Sequence, residues 1–468
     1  MEHGGHVEYR EFIASKRRRA PATGMSAQPF TVPLFPFQGQ IVAWALRQGR
    51  AAIFADTGLG KTAMQLEWAY QVARHTGRPV LGIAPLGVVA QTAAQASRFG
   101  IPDVRVIRDA SEVGDGVNLI NFDRAVKMYM SGFGGVFLDE SSILKNELGR
   151  TRNALIEAVE DVPFRLACTA TPAPNDHTEI GNHAEFLGVM EHRVMLSTFF
   201  INDLSNTIAP WRLKAHAVGE FWAWVSSWAR CVTKPSDVGD YDDGPYVLPA
   251  LHLHRVDVKV DATEGRAEGQ LWRDATHSAT SLHAEKRRTA AERARALSER
   301  IAAEPDESWI VWCDTDYEAE ALRAVLPDHV VEVHGSDSAE VKSARLLGFA
   351  EGDFKILLTK PKIAGFGMNW QHCARMAMIG VSYEWESFYQ RIRRIWRFGQ
   401  TRECHVYCAV AQTEAKVWAS LETKQESNDT LRSAMLEASR KACRERAAQE
   451  TYNPLHRARI PGWFRSQS

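Results

Sequence analysis

The chain has 468 residues, 45% of them hydrophobic and 24% charged, with a formal net charge of -1. That length exceeds one ordinary core and predicts two or three domains. The near-zero balance neither marks nor rules out a nucleic-acid partner, and the absence of any apolar run of about eighteen residues argues against a membrane partner.

Residues 1–30 read as a flexible basic tail, with Lys16, Arg17, Arg18 and Arg19 in a run and Pro21, Gly24 and Pro29 before the first element. The run is either a phosphate-contacting arm or a solvated end. It lacks the apolar segment of a secretory signal, so a cytoplasmic location is expected.

From 31 to 190, short apolar runs alternate with helix-like stretches. Ala51 to Ala55, Val80 to Ala84, Val117 to Asn121, Gly135 to Leu138 and Arg165 to Cys168 read as strands, with helices such as Thr62 to Arg74 and Val88 to Arg98 between them. This alternation predicts an α/β domain with a parallel sheet.

Within it, the first apolar strand runs into Asp56, Thr57, Gly58, Leu59, Gly60, Lys61 and Thr62. Glycines let such a loop fold back so that its N–H groups face phosphate oxygens, and the following helix N-terminus adds favourable partial charge. Lys61 would reach the outer phosphates of ATP and Thr62 would ligate Mg2+. A strict phosphate loop carries glycine where this chain has Ala55. Further on, Gly135-Val-Phe-Leu-Asp-Glu140 is a strand ending in two acids. Asp139 could hold the metal, usually through water, and Glu140 could orient and deprotonate the attacking water.

Residues 191–303 break the rhythm and read as a helical or irregular insertion. Phe221, Trp224, Val225 and Trp228 have the spacing of one helix face, which favours a packed stripe over a base-stacking platform. Alternation resumes in 304–425, where Ser308 to Trp312, Val330 to Val333, Lys355 to Leu358, Met376 to Ile379 and His405 to Ala409 read as strands of a second α/β domain. Residues 426–468 read as a basic C-terminal tail containing Arg440, Lys441, Arg444, Arg446, Arg457, Arg459 and Arg465. Seven scattered cysteines form no CxxC pair, and the cluster Cys404, His405, Cys408 lacks a second half for zinc. They read as buried thiols of a reducing compartment.

The ordered motifs resemble those of superfamily-two helicases, most closely the Swi/Snf-type double-stranded-DNA translocases and their short phage-encoded relatives. They are the Lys61-Thr62 loop, Asp139-Glu-Ser-Ser142, Thr169-Ala-Thr-Pro172, His334-Gly-Ser336, Ala364-Gly-Phe-Gly-Met-Asn369 and Gln390 to Gln400. The resemblance covers roughly residues 34–412 and implies two tandem RecA-like domains with the insertion between them. It assigns adenine recognition to Gln38, phosphate and metal contacts to Lys61 and Thr62, and the hydrolytic acids to Asp139 and Glu140. Thr169 and Thr171 would couple hydrolysis to domain movement, while Thr359, Gly365, Gly367 and Asn369 would contact nucleic acid and nucleotide. Gln390, Arg394 and Arg397 match the final motif, whose arginines reach across the cleft. Independently, charge on a transferring phosphoryl group calls for a cation from outside the phosphate-loop domain, and arginine suits that task. Arg391, Arg393, Arg394 and Arg397 are expected on one helix, with Arg394 and Arg397 sharing a face.

The chain departs from the family pattern at Ser142, Arg393 and Trp396, where His, an acid and His are usual. The expected activity is an ATP-dependent nucleic-acid motor using ATP and Mg2+, with duplex DNA favoured. Alternatives are an RNA- or single-strand-dependent unwinding enzyme, or a nucleotide-gated module recruiting replication or repair proteins. A restriction-type motor subunit is a further reading, but the chain has no nuclease or methyltransferase motif.

Overall fold

In the computed structural model of the chain, residues 19–203, 211–261, 279–364 and 369–450 are described. Lys16, Arg17, Arg18, Gly365, Gly367, Arg457, Arg459 and Arg465 lie outside them.

The first lobe opens with helix α1 (Pro36–Gln48) and strand β1 (Arg50–Ala55), followed by helix α2 (Lys61–Thr76). Strands β2 (Val80–Ala84), β3 (Val104–Val106), β4 (Val117–Asn121), β5 (Gly135–Asp139) and β6 (Phe164–Cys168) continue it. A small antiparallel pair, β7 (Phe200–Asn202) and β8 (Trp211–Leu213), leads to helix α3 (Val218–Trp228) and strand β9 (Ala229–Val232). The main sheet has the order β3-β4-β2-β5-β6-β1-β9, with every pairing parallel.

The second lobe holds β10 (Leu251–Val258), helix α4 (Ala290–Ala303), β11 (Trp309–Trp312), β12 (Val331–Glu332), β13 (Ile356–Thr359) and β14 (Arg375–Met378). Helix α5 (Trp385–Ile392) and strand β15 (Cys404–Ala411) complete it, and helix α6 (Ala415–Glu450) follows. Its sheet has the order β10-β15-β14-β11-β13-β12, again wholly parallel. The chain is thus built of two tandem parallel-sheet α/β domains of RecA-like type.

The inner strands of each sheet are buried on both faces, as parallel sheets require. In lobe one, Phe54, Ile83 and Leu138 join one core, while their neighbours Ile53 and Phe137 join the core on the other side. In lobe two, Trp312 and Met376 face one core and Val311 and Ala377 the other. This period-two alternation explains why the strands read as unbroken apolar runs.

The segment 191–303 contributes to both lobes. α3 buries Phe221, Trp224, Val225 and Trp228 in the core of lobe one, and β9 pairs with β1. β10 and α4 belong to lobe two. β9 is short and carries Arg230, whose guanidinium lies 4.1 Å from the Trp44 ring centroid, so it gives little strand signal. β10 is an edge strand whose polar alternation hides it in the same way.

Parts of both expected tails lie among the described residues and are packed. The N–H groups of Thr23, Gly24 and Met25 bond the carbonyls of Gln48, Arg47 and Leu46 at the end of α1. Residues 426–450 form the second part of α6, a helix of 36 residues that is about 54 Å long at 1.5 Å per residue. Val417, Trp418 and Leu421 pack in lobe two, whereas Leu431 and Met435 pack in lobe one. Arg440 is bound to the buried Asp237 at 2.6 Å. Six of the cysteines are buried and Cys443 is half-buried, all as free thiols. No helix among the described residues is long and apolar enough to cross a membrane.

Candidate functional site

β1 ends at Ala55, and the chain turns through Asp56 to Gly60 into α2. Gly58 and Gly60 have φ of +94° and +78°, a left-handed backbone that a Cβ disfavours. Both are also crowded. A Cβ on Gly60 would lie 2.3 Å from Gln38 Nε2, and one on Gly58 would lie 2.6 Å from Phe398 Cβ in the second lobe. Gln38 accepts from the N–H of Phe35 at 2.9 Å and donates to the carbonyl of Leu59 at 2.9 Å, so it braces the loop. Lys61 Nζ donates to the carbonyls of Ala55 (2.9 Å) and Asp56 (3.3 Å), which sets an ammonium within the fold of the loop. Thr57 N–H bonds its neighbour's carboxylate, Asp56 Oδ1, at 2.8 Å. Thr62 is half-buried on the first turn of α2.

Strand order brings β6 beside β1 and β5 beside β6, so their C-terminal ends share one edge. Asp139, at the end of β5, is buried and accepts from Gln65 Nε2 of α2 at 2.9 Å. Glu140 has φ of +56°, a conformation that costs on the order of 1 kcal/mol for a residue with a Cβ. Thr169 Oγ1 donates to Glu140 Oε2 at 3.4 Å and accepts from the N–H of Thr171 at 3.1 Å. Burial raises both acids above the ordinary carboxyl range. For Glu140, the charges of Asp139 and Glu386 add to burial while Lys61 and Arg394 oppose it, and the group is pushed up to about 7.

The second lobe reaches this edge through α5 and the segment after it. α5 stops at Ile392 with Arg393 as its C-cap, so Arg394 and Arg397 do not continue one helix with Arg391. Tertiary bonds reshape the chain there. Trp370 N–H bonds the Arg394 carbonyl at 3.1 Å, and Gln400 Nε2 bonds the carbonyls of Cys373 (2.9 Å) and Ile395 (3.2 Å).

Several cross-lobe links result. Arg393 donates to the carbonyl of Thr57 at 2.9 Å and pairs with Asp56 at 2.9 Å. Tyr389 OH donates to Asp56 at 3.2 Å, and Arg432 of α6 holds the other Asp56 oxygen. Burial alone would raise Asp56, but Arg393 and Arg432 hold it well below the usual carboxylate range. Glu386 accepts from Lys145 Nζ (2.6 Å) and Thr171 Oγ1 (3.3 Å) of lobe one and from Gln390 Nε2 (3.3 Å) of its own helix. Arg394 is lowered to about 10 by burial and by Arg397, while Glu140 pulls it upward, so Arg394 and Glu140 sit in each other's field. Arg397 is likewise lowered to about 10 by burial and Arg393, and both arginines stay charged at neutral pH.

The loop, the acids, Thr169, Thr171, Gln390, Arg394 and Arg397 therefore gather at one inter-lobe edge. Thr359 lies buried at the end of β13, and Asn369 is exposed, its amide bonded to Gln371 at 3.2 Å within its own lobe. Sequence reasoning passed over Asp56, Gln65, Glu386, Tyr389 and Arg432. Asp56 adjoins the glycine loop and Glu386 lies one helical turn before Gln390, so those two had a local signal; Arg432 had none.

Beside this edge a groove of about 1100 Å³ runs between the lobes, lined by residues of lobe one (Leu86, Phe122, Arg150) and lobe two (Lys286, Lys360, Lys362). Arg150 and Lys362 are exposed there on opposite lobes.

Residues 292–399 match the family model of the helicase conserved C-terminal domain. No curated protein matches the chain. Among solved structures, the chain is similar to S. cerevisiae Dbp5 bound to RNA and ADP BeF3, with 13% identity over 86% of this chain and 94% of that one and a TM-score of 0.51. It is also similar to the Sulfolobus solfataricus SWI2/SNF2 ATPase core in complex with dsDNA, with 17% identity over 88% of this chain and 96% of that one and a TM-score of 0.43. The matched C-terminal module and the tandem lobes support a helicase-type, nucleic-acid-dependent motor.

Proposed function

We propose that this chain is an ATP-hydrolysing motor of the superfamily-two helicase type, and that its track is duplex DNA. The observation that carries the reading is the joint between lobes, where Arg393 rests on the glycine loop and Arg394 lies in the field of Glu140. Hydrolysis then depends on both lobes being in place.

The donor set fits Mg-ATP. A loop with two left-handed glycines, an ammonium beside its carbonyls and a buried carboxylate next door offers charge and N–H groups to a polyphosphate. Thr62 and Asp139 would hold Mg2+, which when bound offsets phosphate charge. Glu140, pushed up to about 7, is suited to accept the proton of the attacking water near neutral pH. Arg394 and Arg397 would bring positive charge to the transferring group from outside lobe one. Glu386, bonded to Lys145 and Thr171 on one lobe and Gln390 on the other, would report the state of the phosphate site to the cleft. The groove, with cations on both lobes, suits backbone contact without base reading. Duplex preference rests on the Swi/Snf-like motif order.

Steady-state ATPase activity without nucleic acid and with duplex DNA, single-stranded DNA or RNA tests this, with Lys61→Ala as the blank. Stimulation by duplex DNA is expected. Stimulation by RNA or single strands alone overturns the duplex track, and activity no higher than Lys61→Ala under all conditions overturns the motor.

A further inference from the structure

Three histidines gather on the outer strand pair of lobe two. β10 is the edge strand and pairs with β15 over its whole length, with His252 opposite His405 and His254 opposite Tyr407. Residues two apart on a strand share a face. Glu403, His405 and Tyr407 therefore line up beside His252 and His254, while Cys404 and Cys408, one residue out of phase, are buried. The His252 and His405 rings stack with centroids 4.6 Å apart, and His254 and His405 are parallel within 1°. His252 Nε2 lies 3.2 Å from Glu403 Oε2, and His254 Nε2 lies 3.0 Å from His405 Nδ1. One ligand atom from each of His252, Glu403 and His405 falls within 4.8 Å of the other two.

We propose that His252, Glu403 and His405 bind a transition-metal dication of the zinc class, with His254 orienting His405. Two imidazoles and a carboxylate form a borderline donor set suited to such ions. Three protein ligands leave a fourth tetrahedral position open to water. Donors around zinc, at about 2.1 Å from the ion, lie roughly 3.4 Å from one another. The His252–Glu403 pair is already at 3.2 Å, and the half-exposed rings need only small rotations to complete the set. When His405 donates its Nδ1–H to His254, its Nε2 keeps a lone pair for the metal, the arrangement by which a second histidine fixes a ligand's tautomer. Arg375 is the opposing charge beside His405, and Glu304 offsets it with a 2.6 Å ion pair.

The position gives the site a structural task. β10 is the first strand of lobe two and β15 is the last, leading into α6. A metal bridging them fastens the two ends of the lobe together at its outer edge, independently of ATP.

The test is calorimetric titration of the chelator-treated full chain with Zn2+ alone, in the wild type, His252→Ala, His405→Ala and Lys61→Ala. The chain has 16 histidines, so the variants are needed to locate the ion. One saturable site per chain is expected, retained in Lys61→Ala and weakened about tenfold or more by either histidine substitution, since a lost ligand costs at least what a lost outer partner does. Zn2+ should also raise the melting temperature of the wild type and not that of His252→Ala. Metal-free melting curves check that each variant folds, and His405→Asn replaces His405→Ala if it does not. Absence of a saturable site in the wild type, or undiminished binding in either histidine variant, overturns the proposal and leaves a stacked histidine set held by Glu403.

Discussion

Lobe one holds its chemical groups at strand ends, where backbone geometry aims them, whereas lobe two presents its groups on an irregular segment shaped by distant bonds. The glycine loop and Asp139 follow directly from β1 and β5, and neighbouring residues bring about their conformations. Arg393, Arg394 and Arg397 follow a helix that ends early, and their placement depends on Trp370, Gln400 and the close approach of Phe398 to Gly58. The candidate site is thus divided between a half built on strand ends and a half held in place by contacts across the cleft.

If lobe two acts by delivering charge, Arg394→Ala should lower kcat about a thousandfold while nucleotide affinity, read by equilibrium binding, stays intact. Equal loss of affinity would move Arg394 into the binding half and erase the distinction. The pH profile examines lobe one. Glu140 must be deprotonated to act as base and titrates at about 7, so kcat/KM should fall about tenfold per unit as pH drops below that value. Because the Glu386 charge helps raise Glu140, Glu386→Gln should shift this limb to lower pH. An unshifted limb would show that the lobes do not communicate through that carboxylate.

Glu386→Gln should also lower nucleic-acid-stimulated kcat about tenfold, the equivalent of one charge-assisted hydrogen bond of about 1.5 kcal/mol, with a smaller effect on unstimulated turnover. Equal effects on both rates would make Glu386 part of the chemistry and not of the coupling. The smallest change is expected where α6 returns to lobe one. Arg440→Ala leaves Asp237 its bonds from Thr233 and Lys234, so stability should drop by about 1 kcal/mol and the melting temperature by about 2 °C. No shift would mean that the other contacts of α6, among them Arg432 on Asp56 and the packing of Leu431 and Met435, hold it to lobe one without Arg440.

The local signals were strong where one stretch of chain carries both the turn and the chemistry. Glycines at 58 and 60 before Lys61, two acids after a buried strand, and apolar runs alternating with helices depend on steric and hydrogen-bonding rules that act over a few residues. They make the α/β class readable, and with it the lobe-one half of the candidate site. The stripe Phe221, Trp224, Val225 and Trp228 was readable for the same reason, because helical period alone puts it on one face.

The allotment of β9 and β10 to different sheets, the early end of α5, and the meeting of Arg432 with Asp56 have no such local code. Arg432 and Asp56 are 376 residues apart, and their pairing exists only because α6 runs from the core of lobe two to the core of lobe one. His252 and His405 likewise become neighbours only through the register of β10 on β15. Short-range preference fixes what a segment of chain can form, but which segments lie side by side is settled by burial of the apolar faces they share.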